Sequence, residues 1–209
     1  MKAHDQKAFW RDTGVYSQEI SSFAKKSYSR IKKEGKAFLL ELGCGIGSDA
    51  VFFAGNGLEV LALDFSKPAI DYLNKIKDEQ NLYNLDCRVK DFTKPWQSEV
   101  YDPESVEAVY AHRSLHYFDE KTTKRVFANV HNILAPNGLF FVAVHSALHT
   151  EAETGRMLEK GLYLYKGKQR RFFSMPCIKR YMNGSFDIIS LGYNDKDTKS
   201  FLEVVARKI

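Results

Sequence analysis

Apolar and polar positions change period several times along the chain. Residues 37–42 form a short, nearly continuous apolar run, the pattern of a strand buried on both faces of a parallel sheet. Further strand patterns fall at residues 59–63 (ending in Asp64), 85–89, 106–111 and 139–144 (ending at His145). Between them apolar residues return at helical spacing. Ala50, Val51, Phe53 and Ala54 mark one helix, which Ser48 and Asp49 are placed to cap and Gly57 to close. Ala69, Ile70, Leu73 and Ile76 mark a second, with Ser66 and Pro68 at its start. Val126, Phe127, Val130, Ile133 and Leu134 mark a third, capped by Asp119. Strands alternating with helices predict an α/β domain with a parallel sheet. Ahead of it, Tyr16, Ile20, Phe23, Ala24, Ser27 and Ile31 predict an amphipathic helix that Asp12 or Thr13 starts and Gly35 ends. Residues 95–104 read as a polar connection and residues 135–138, Ala-Pro-Asn-Gly, as a turn. Residues 146–175 show no clear period. A short helix is expected over 176–181, then two alternating strands, 186–191 and 201–207, joined by a polar loop over 194–200.

Gly43, Gly45 and Gly47 follow the first strand directly, and a helix follows them. That order opens a nucleotide-binding βαβ unit. The spacing is G-x-G-x-G, not the dinucleotide fingerprint G-x-G-x-x-G, and Glu41 stands two residues before the first glycine. A carboxylate there would repel a pyrophosphate and suits a ligand with a cationic end. The stretch Glu41-Leu-Gly-Cys-Gly-Ile-Gly47 resembles motif I of the class I S-adenosylmethionine (SAM)-dependent methyltransferases. The resemblance implies SAM as cofactor and a Rossmann-like three-layer αβα sandwich. Its seven-stranded, mostly parallel sheet would end in an antiparallel C-terminal hairpin. Asp64 lies 21 residues after Gly43, where an acidic side chain accepts from ribose hydroxyls. The structural alternative, that Asp64 caps the next helix, is better served by Ser66. The resemblance further implies a cofactor site of Tyr16, Glu41, Gly43, Gly45, Gly47, Asp64, Phe65, Asp91, Phe92 and His112. Asp91 would meet the adenine amino group and Phe92 its ring, the alternative being a plain surface turn. The chain divides into an N-terminal helical cap (1–35), the SAM-binding core (36–145), a substrate cover (146–185) and the C-terminal hairpin (186–209).

Composition narrows the class further. The chain has 209 residues, 44% hydrophobic and 27% charged, which suits one ordinary globular domain. The polar start has no signal-peptide core, and the apolar run at 139–144 is far too short to span a bilayer. Cys44, Cys87 and Cys177 are odd in number and widely separated, which fits a reducing cytoplasm and disfavours a thiolate metal site. The net charge of +5 permits an anionic substrate without demanding nucleic acid.

SAM carries an activated methyl group, so the chain needs no nucleophile of its own. Residues 112–118, His-Arg-Ser-Leu-His-Tyr-Phe, end the fourth strand, where an open α/β sheet binds its ligands. His112, His116 and His145 are the candidate catalytic bases. Trp10, Tyr117, Arg170 and Arg171 are the candidate substrate contacts. Trp10 and Tyr16 have the alternative of simple packing on the domain. His112 with His116, and His145 with His149, are each four apart, and the two strand ends would gather four imidazoles. No H-E-x-x-H accompanies them, so no metal is assigned. Residues 111–114, Ala-His-Arg-Ser, lack both the Asp/Asn-Pro-Pro-aromatic motif of nucleobase amine methyltransferases and the aspartate of magnesium-dependent catechol methyltransferases. The remaining resemblance is to small-molecule methyltransferases of the tellurite and thiol type. The expected function is methyl transfer to a small molecule by a monomer or homodimer, with no membrane partner. Lys166, Lys168, Arg170 and Arg171 interleave with Tyr163, Tyr165, Phe172 and Phe173. They keep open an RNA-directed methyltransferase or a non-catalytic SAM- or RNA-binding protein. The Tyr-x-x-x-Lys of an NAD(P)-dependent reductase occurs only as Tyr28 and Lys32, ahead of the glycine loop.

Overall fold

The computed structural model describes residues 19–94, 104–152, 154–165, 167–196 and 199–209. Trp10, Tyr16, Lys166 and nearly all of the 95–104 connection lie outside the described residues.

Helix α1 (Ser22–Lys33) begins where Ser21 caps it, its hydroxyl accepting from the Ala24 N–H. Asp12 and Thr13, the expected start, lie outside the described residues, and within the described ones the side-chain cap at Ser21 sets the first turn at Ser22. Phe23, Ala24, Ser27 and Ile31 form its buried stripe, and Gly35 at φ +66° follows its end. Strand β1 (Phe38–Leu42) lies between parallel β2 (Glu59–Asp64) and β4 (Val106–His112), which explains its unbroken apolar pattern. Helix α2 (Ser48–Gly55) is not capped by Ser48 or Asp49 as expected. Gly47 takes the cap position at φ +82°, and Asp49 turns into the protein instead. Helix α3 (Lys67–Glu79) carries the expected Ser66 cap with proline in its first turn, and β3 (Leu85–Val89) runs as read. Helix α4 (Glu120–Ile133) is capped by Asp119.

Strand β5 (Leu134–His145) starts earlier than its apolar run. The expected turn at residues 135–138 lies inside the strand as an irregularity. Leu134 pairs with Val106, the register then shifts, and Asn137 holds φ +60°.

Residues 146–175 are also corrected, from an aperiodic loop to a second small sheet. Strands β6 (Arg156–Glu159), β7 (Leu162–Tyr165) and β8 (Lys168–Arg171) pair antiparallel. Each is four residues long, too short for alternation to stand out, and Gly161 and Gly167 take the positive φ of the turns between them. Helix α5 (Met175–Met182) is capped by Ser174. Strands β9 (Phe186–Lys196) and β10 (Lys199–Lys208) extend through most of the expected 194–200 loop, since the ladder continues to Lys199 opposite Lys196.

The large sheet runs β3-β2-β1-β4-β5-β10-β9, with β10 and β9 antiparallel to the rest. Strand order reverses between β1 and β4, and ligands of open α/β sheets bind beyond the strand ends at that point. One face packs Leu39, Ala62 and Phe141 under α1, α2 and α3 through Phe23, Phe53 and Leu73. The other packs Leu40, Val109 and Phe140 under α4 and α5 through Val126, Phe127 and Ile178. This is the three-layer sandwich that the sequence implies. Among the described residues no helix is long and apolar enough to cross a membrane.

Gly47 offers a test of how α3 holds the glycine loop. A Cβ added there would lie 2.3 Å from Leu73 Cδ1 in a left-handed backbone. Gly47→Ala is expected to lower unfolding free energy by about 2–4 kcal/mol, from roughly 1–2 for the backbone and the rest from overpacking. Because Leu73 is the obstacle, Gly47→Ala with Leu73→Ala should cost less than the sum of the single changes in urea titrations. Strict additivity would show that Leu73 is not the source of the strain.

Candidate functional site

The carboxyl ends of β1, β2 and β4 converge on the loop from Gly43 to Gly47. The Gly43 and Cys44 N–H groups both donate to the Leu63 carbonyl, at 2.7 and 3.0 Å, folding the loop back over the end of β2. Gly43 holds φ +76°, and a Cβ there would meet Ser114 Cβ at 2.5 Å, so the segment after β4 comes too close for any side chain. Ser114 Oγ donates to the Leu42 carbonyl at 2.5 Å and fixes that approach.

Asp64 closes the other side. Its Oδ2 accepts from the Gly45 N–H at 2.9 Å and its Oδ1 from the Ser66 N–H at 2.8 Å. Burial raises its carboxyl above the ordinary range, against the lowering by the backbone donors of Ser66, Gly45 and Phe65. Glu41 lies beneath the loop, 3% exposed. Burial first, then the charges of Asp49 and Asp64, hold its carboxyl well above the usual range. Its Oε2 has no hydrogen-bond partner among the described residues. A buried carboxylate atom without a donor, beside two further carboxylates, is a site for a cation. The ammonium and sulfonium of SAM fit that charge, and a pyrophosphate does not.

The two candidate adenine contacts differ in placement. Asp91 Oδ1 accepts from the Thr93 N–H at 3.1 Å and the Thr93 hydroxyl at 2.5 Å, a turn just after β3. Phe92 is buried in the core, edge-to-face with Phe118 and backing the glycine turn near Gly43. Phe65 is half-buried beside Asp64.

Beyond β4 and β5, three of the four histidines gather and one does not. The His116 ring lies 3.9 Å from His145 and His145 lies 4.5 Å from His149, centroid to centroid, against Phe172 and Phe201. His116 is fully buried, and neither ring nitrogen has a hydrogen-bond partner among the described residues. Burial, then the charges of His145, Arg113, Arg170 and His112, depress its basicity well below the usual value, so the ring is neutral. His149 Nδ1 accepts from the Glu151 N–H at 3.1 Å. His112 stands apart, with Nδ1 3.3 Å from Asp49 Oδ2. Among the described residues no three His, Cys, Asp or Glu side chains are grouped to hold a metal ion.

The candidate substrate contacts also separate. Tyr117 packs its ring on His116, with centroids 4.3 Å apart. Arg170 pairs with Glu151. Arg171 is 2% exposed and committed internally. Its Nε donates to the Phe118 carbonyl at 3.0 Å, Nη1 to the Lys160 carbonyl at 3.2 Å, and Nη2 pairs with Glu159. Arg171 thereby straps the small sheet to the segment after β4. Three site residues escape the sequence reading: Ser21, Asp49 and Tyr110. Asp49 Oδ1 accepts from the Ser21 N–H, and its Oδ2 from the hydroxyls of Ser21 and Tyr110, all at 2.8 Å. The available signal was that Ser48 and Asp49 compete for one cap, so one of them has another use.

Known proteins share this fold. Residues 39–138 match the family model described as a methyltransferase domain. The chain is 25% identical over 157 residues to EEF1A lysine methyltransferase 2 of Danio rerio, covering 65% of this chain and 66% of that one, just under two thirds of its length. Its fold is similar to that of the 1,6-didemethyltoxoflavin-N1-methyltransferase of Burkholderia thailandensis, solved with 1,6-didemethyltoxoflavin and S-adenosylhomocysteine. That match has a TM-score of 0.69 and 17% identity, covering 98% of this chain and 83% of the other. An S-adenosylmethionine-dependent methyltransferase of Clostridium acetobutylicum gives a TM-score of 0.73 at 13% identity, covering 99% of this chain and 97% of that one. With the strand order, the glycine loop and its carboxylates in place, residues 39–138 of this chain are similar to a methyltransferase domain, and the fold is that of SAM-dependent methyltransferases.

Proposed function

We propose that the chain transfers the methyl group of SAM to a small-molecule acceptor and releases S-adenosylhomocysteine. The observation that carries this reading is the buried Glu41 Oε2, without a donor, beneath a left-handed glycine loop and beside Asp49 and Asp64. SAM supplies a methyl group on a sulfonium leaving group. Glu41 offers negative charge to the cationic end of SAM, and Gly43, Gly45 and Gly47 leave room for it against the backbone. Asp64 has lone pairs beyond those given to Gly45 and Ser66, and these receive the ribose hydroxyls. The small sheet β6–β8 acts as the substrate cover. It is joined to the strand ends by the Arg171 N–H to the His116 carbonyl and by the Ala147 N–H to the Phe173 carbonyl, at 2.8 and 2.9 Å. Water exclusion and in-line positioning are its contribution to rate. A metabolite screen with SAM, following S-adenosylhomocysteine release, tests the acceptor class. Methylation of a protein lysine is the second reading, favoured by the zebrafish relative, and a peptide arm of the screen separates the two.

Two predictions follow from the carboxylates. Asp64→Ala removes charge-assisted bonds to ribose, each worth on the order of 1.5–3 kcal/mol, and should weaken SAM binding by about 30- to 1,000-fold. Because Asp64 also holds the Gly45 and Ser66 N–H groups, the same change should lower the melting temperature, while Asp64→Asn should lose less of both. A melting shift with unchanged SAM affinity by calorimetry would leave Asp64 a purely structural role.

The second concerns pH. Protonating Glu41 removes the charge that faces the cofactor's cation, so SAM affinity should fall as pH drops through a window above the ordinary carboxylate range. Stability without cofactor should move the other way. The folded-state carboxyl holds its proton more tightly than the unfolded one, so its contribution is present at low pH and lost as pH rises through the raised value. Glu41→Gln should flatten both dependences in that window. An unchanged pH dependence of SAM affinity in Glu41→Gln would remove Glu41 from cofactor binding.

A further inference from the structure

We infer that Asp49 is a positioning residue for His112, fixing its ring so that Nε2 takes the proton of the methyl acceptor. The acceptor is then one that arrives protonated at its nucleophilic atom: a hydroxyl, a thiol or an ammonium. This rests on the methyl-transfer reading above and adds the acceptor's chemistry to it.

Register places the pair. Glu41 lies opposite Tyr110, and His112 is two residues further along β4, so its ring stands beside the glycine turn. Asp49 comes from the first turn of α2, on the other side of that turn. The contacts around Asp49 then say which nitrogen of His112 faces a carboxylate. Asp49 accepts from the Ser21 N–H, the Ser21 hydroxyl and the Tyr110 hydroxyl, with His112 Nδ1 as a fourth partner at 3.3 Å. An ionised carboxylate only accepts, so in this proposal the His112 proton sits on Nδ1, the nitrogen that approaches Asp49 Oδ2. A neutral imidazole carries one N–H, which leaves the lone pair on Nε2. Among the described residues nothing occupies Nε2. Phe23 and Tyr110 flank the ring, with centroids 6.1 and 6.2 Å away. The side chain keeps 23% exposure, whereas His116 is fully buried and His145 nearly so. Of the three candidate bases, His112 is the one both oriented and open. Although burial opposes the charge on Asp49, His112, the Ser21 N–H and the Tyr110 hydroxyl hold its carboxyl below the usual value.

The proposed step balances. His112 Nε2 takes the proton from the acceptor atom, and the pair left on that atom bonds to the methyl carbon. The carbon–sulfur pair leaves with sulfur in S-adenosylhomocysteine, and the imidazolium returns its proton to solvent. An acceptor with a ready lone pair, such as a pyridine nitrogen or a thioether, would need no base.

The competing account is that Asp49 only latches α1 through Ser21, and two measurements separate them. Long-range nitrogen–proton spectra of the labelled full chain, alone and with S-adenosylhomocysteine, read the His112 tautomer, assigned by its loss in His112→Gln. The expected result is Nδ1–H in the wild type, a shift toward Nε2–H in Asp49→Asn, and no shift in Ser21→Ala, although that variant also melts lower. Nε2–H in the wild type, or an unchanged tautomer in Asp49→Asn, would overturn the pair. Turnover is then measured with phenylmethanethiol, phenol and benzylamine as protic probes and with pyridine and dimethyl sulfide as aprotic ones. On protic probes kcat at saturating SAM should fall about 10²- to 10⁴-fold in His112→Gln and by a smaller factor in Asp49→Asn. Wild-type turnover of aprotic probes alone, or undiminished kcat in His112→Gln, would refute the acceptor class. Absence of SAM binding by calorimetry would instead refute the cofactor reading, and the tautomer would still report on the pair.

Discussion

One buried carboxylate, Asp64, holds the site together. It ends β2, yet its two oxygens accept from the Gly45 N–H in the glycine loop and the Ser66 N–H that opens the turn into α3. The loop's own backbone cannot make these bonds. Its three glycines sit in left-handed conformations, and its Gly43 and Cys44 N–H groups turn back to the Leu63 carbonyl. The loop is pinned from three sides, by Asp64, by Ser114 pressing on Gly43 and by Leu73 packed under Gly47. Asp64 and Leu73 come from the β2–α3 unit and Ser114 from the segment after β4, the two strands that flank β1, so the site is a product of sheet order, not of the motif alone.

The same arrangement concentrates negative charge. Glu41, Asp49 and Asp64 lie close enough that each of the last two raises the first. Without a cation this is an unfavourable cluster, since burial and mutual repulsion both oppose ionisation. Asp49 and Asp64 are relieved by donors within the protein, but Glu41 Oε2 is not. The unrelieved atom is the one that the proposed function gives to the cofactor's positive charge.

Beyond the far end of β4 and β5 the pattern inverts. Imidazoles, aromatic rings and arginines gather there, and the small sheet β6–β8 covers them. Its anchoring is polar where it meets the main sheet. Arg171 reaches two carbonyls and a carboxylate while almost fully buried, a use of guanidinium as strap. Charge therefore divides the two halves of the candidate site, acidic under the glycine loop and basic to neutral beyond it.

Much of this was legible in the sequence because it is local. Continuous apolar runs, side-chain caps at Ser66 and Asp119, and the glycine spacing after β1 each report on neighbours a few residues away. The sheet, the helices of the core and the place of the glycine loop followed from them. What the sequence did not disclose depends on residues far apart in the chain. The four-residue strands β6, β7 and β8 are too short to show a period, and their pairing is held by Arg171 reaching back 53 residues to Phe118. Asp49 has the spacing of a helix cap, but Ser21, 28 residues before it, and Tyr110, 61 after, recruit its carboxylate elsewhere. Four histidines at matching intervals looked like one cluster, and the structure divides them because β4 ends with His112 beside Asp49, whereas the segment after β4 carries His116 to His145. Local periodicity fixes which face of an element is buried. Only tertiary packing decides which polar group on that face finds a partner, because the partner comes from another part of the chain.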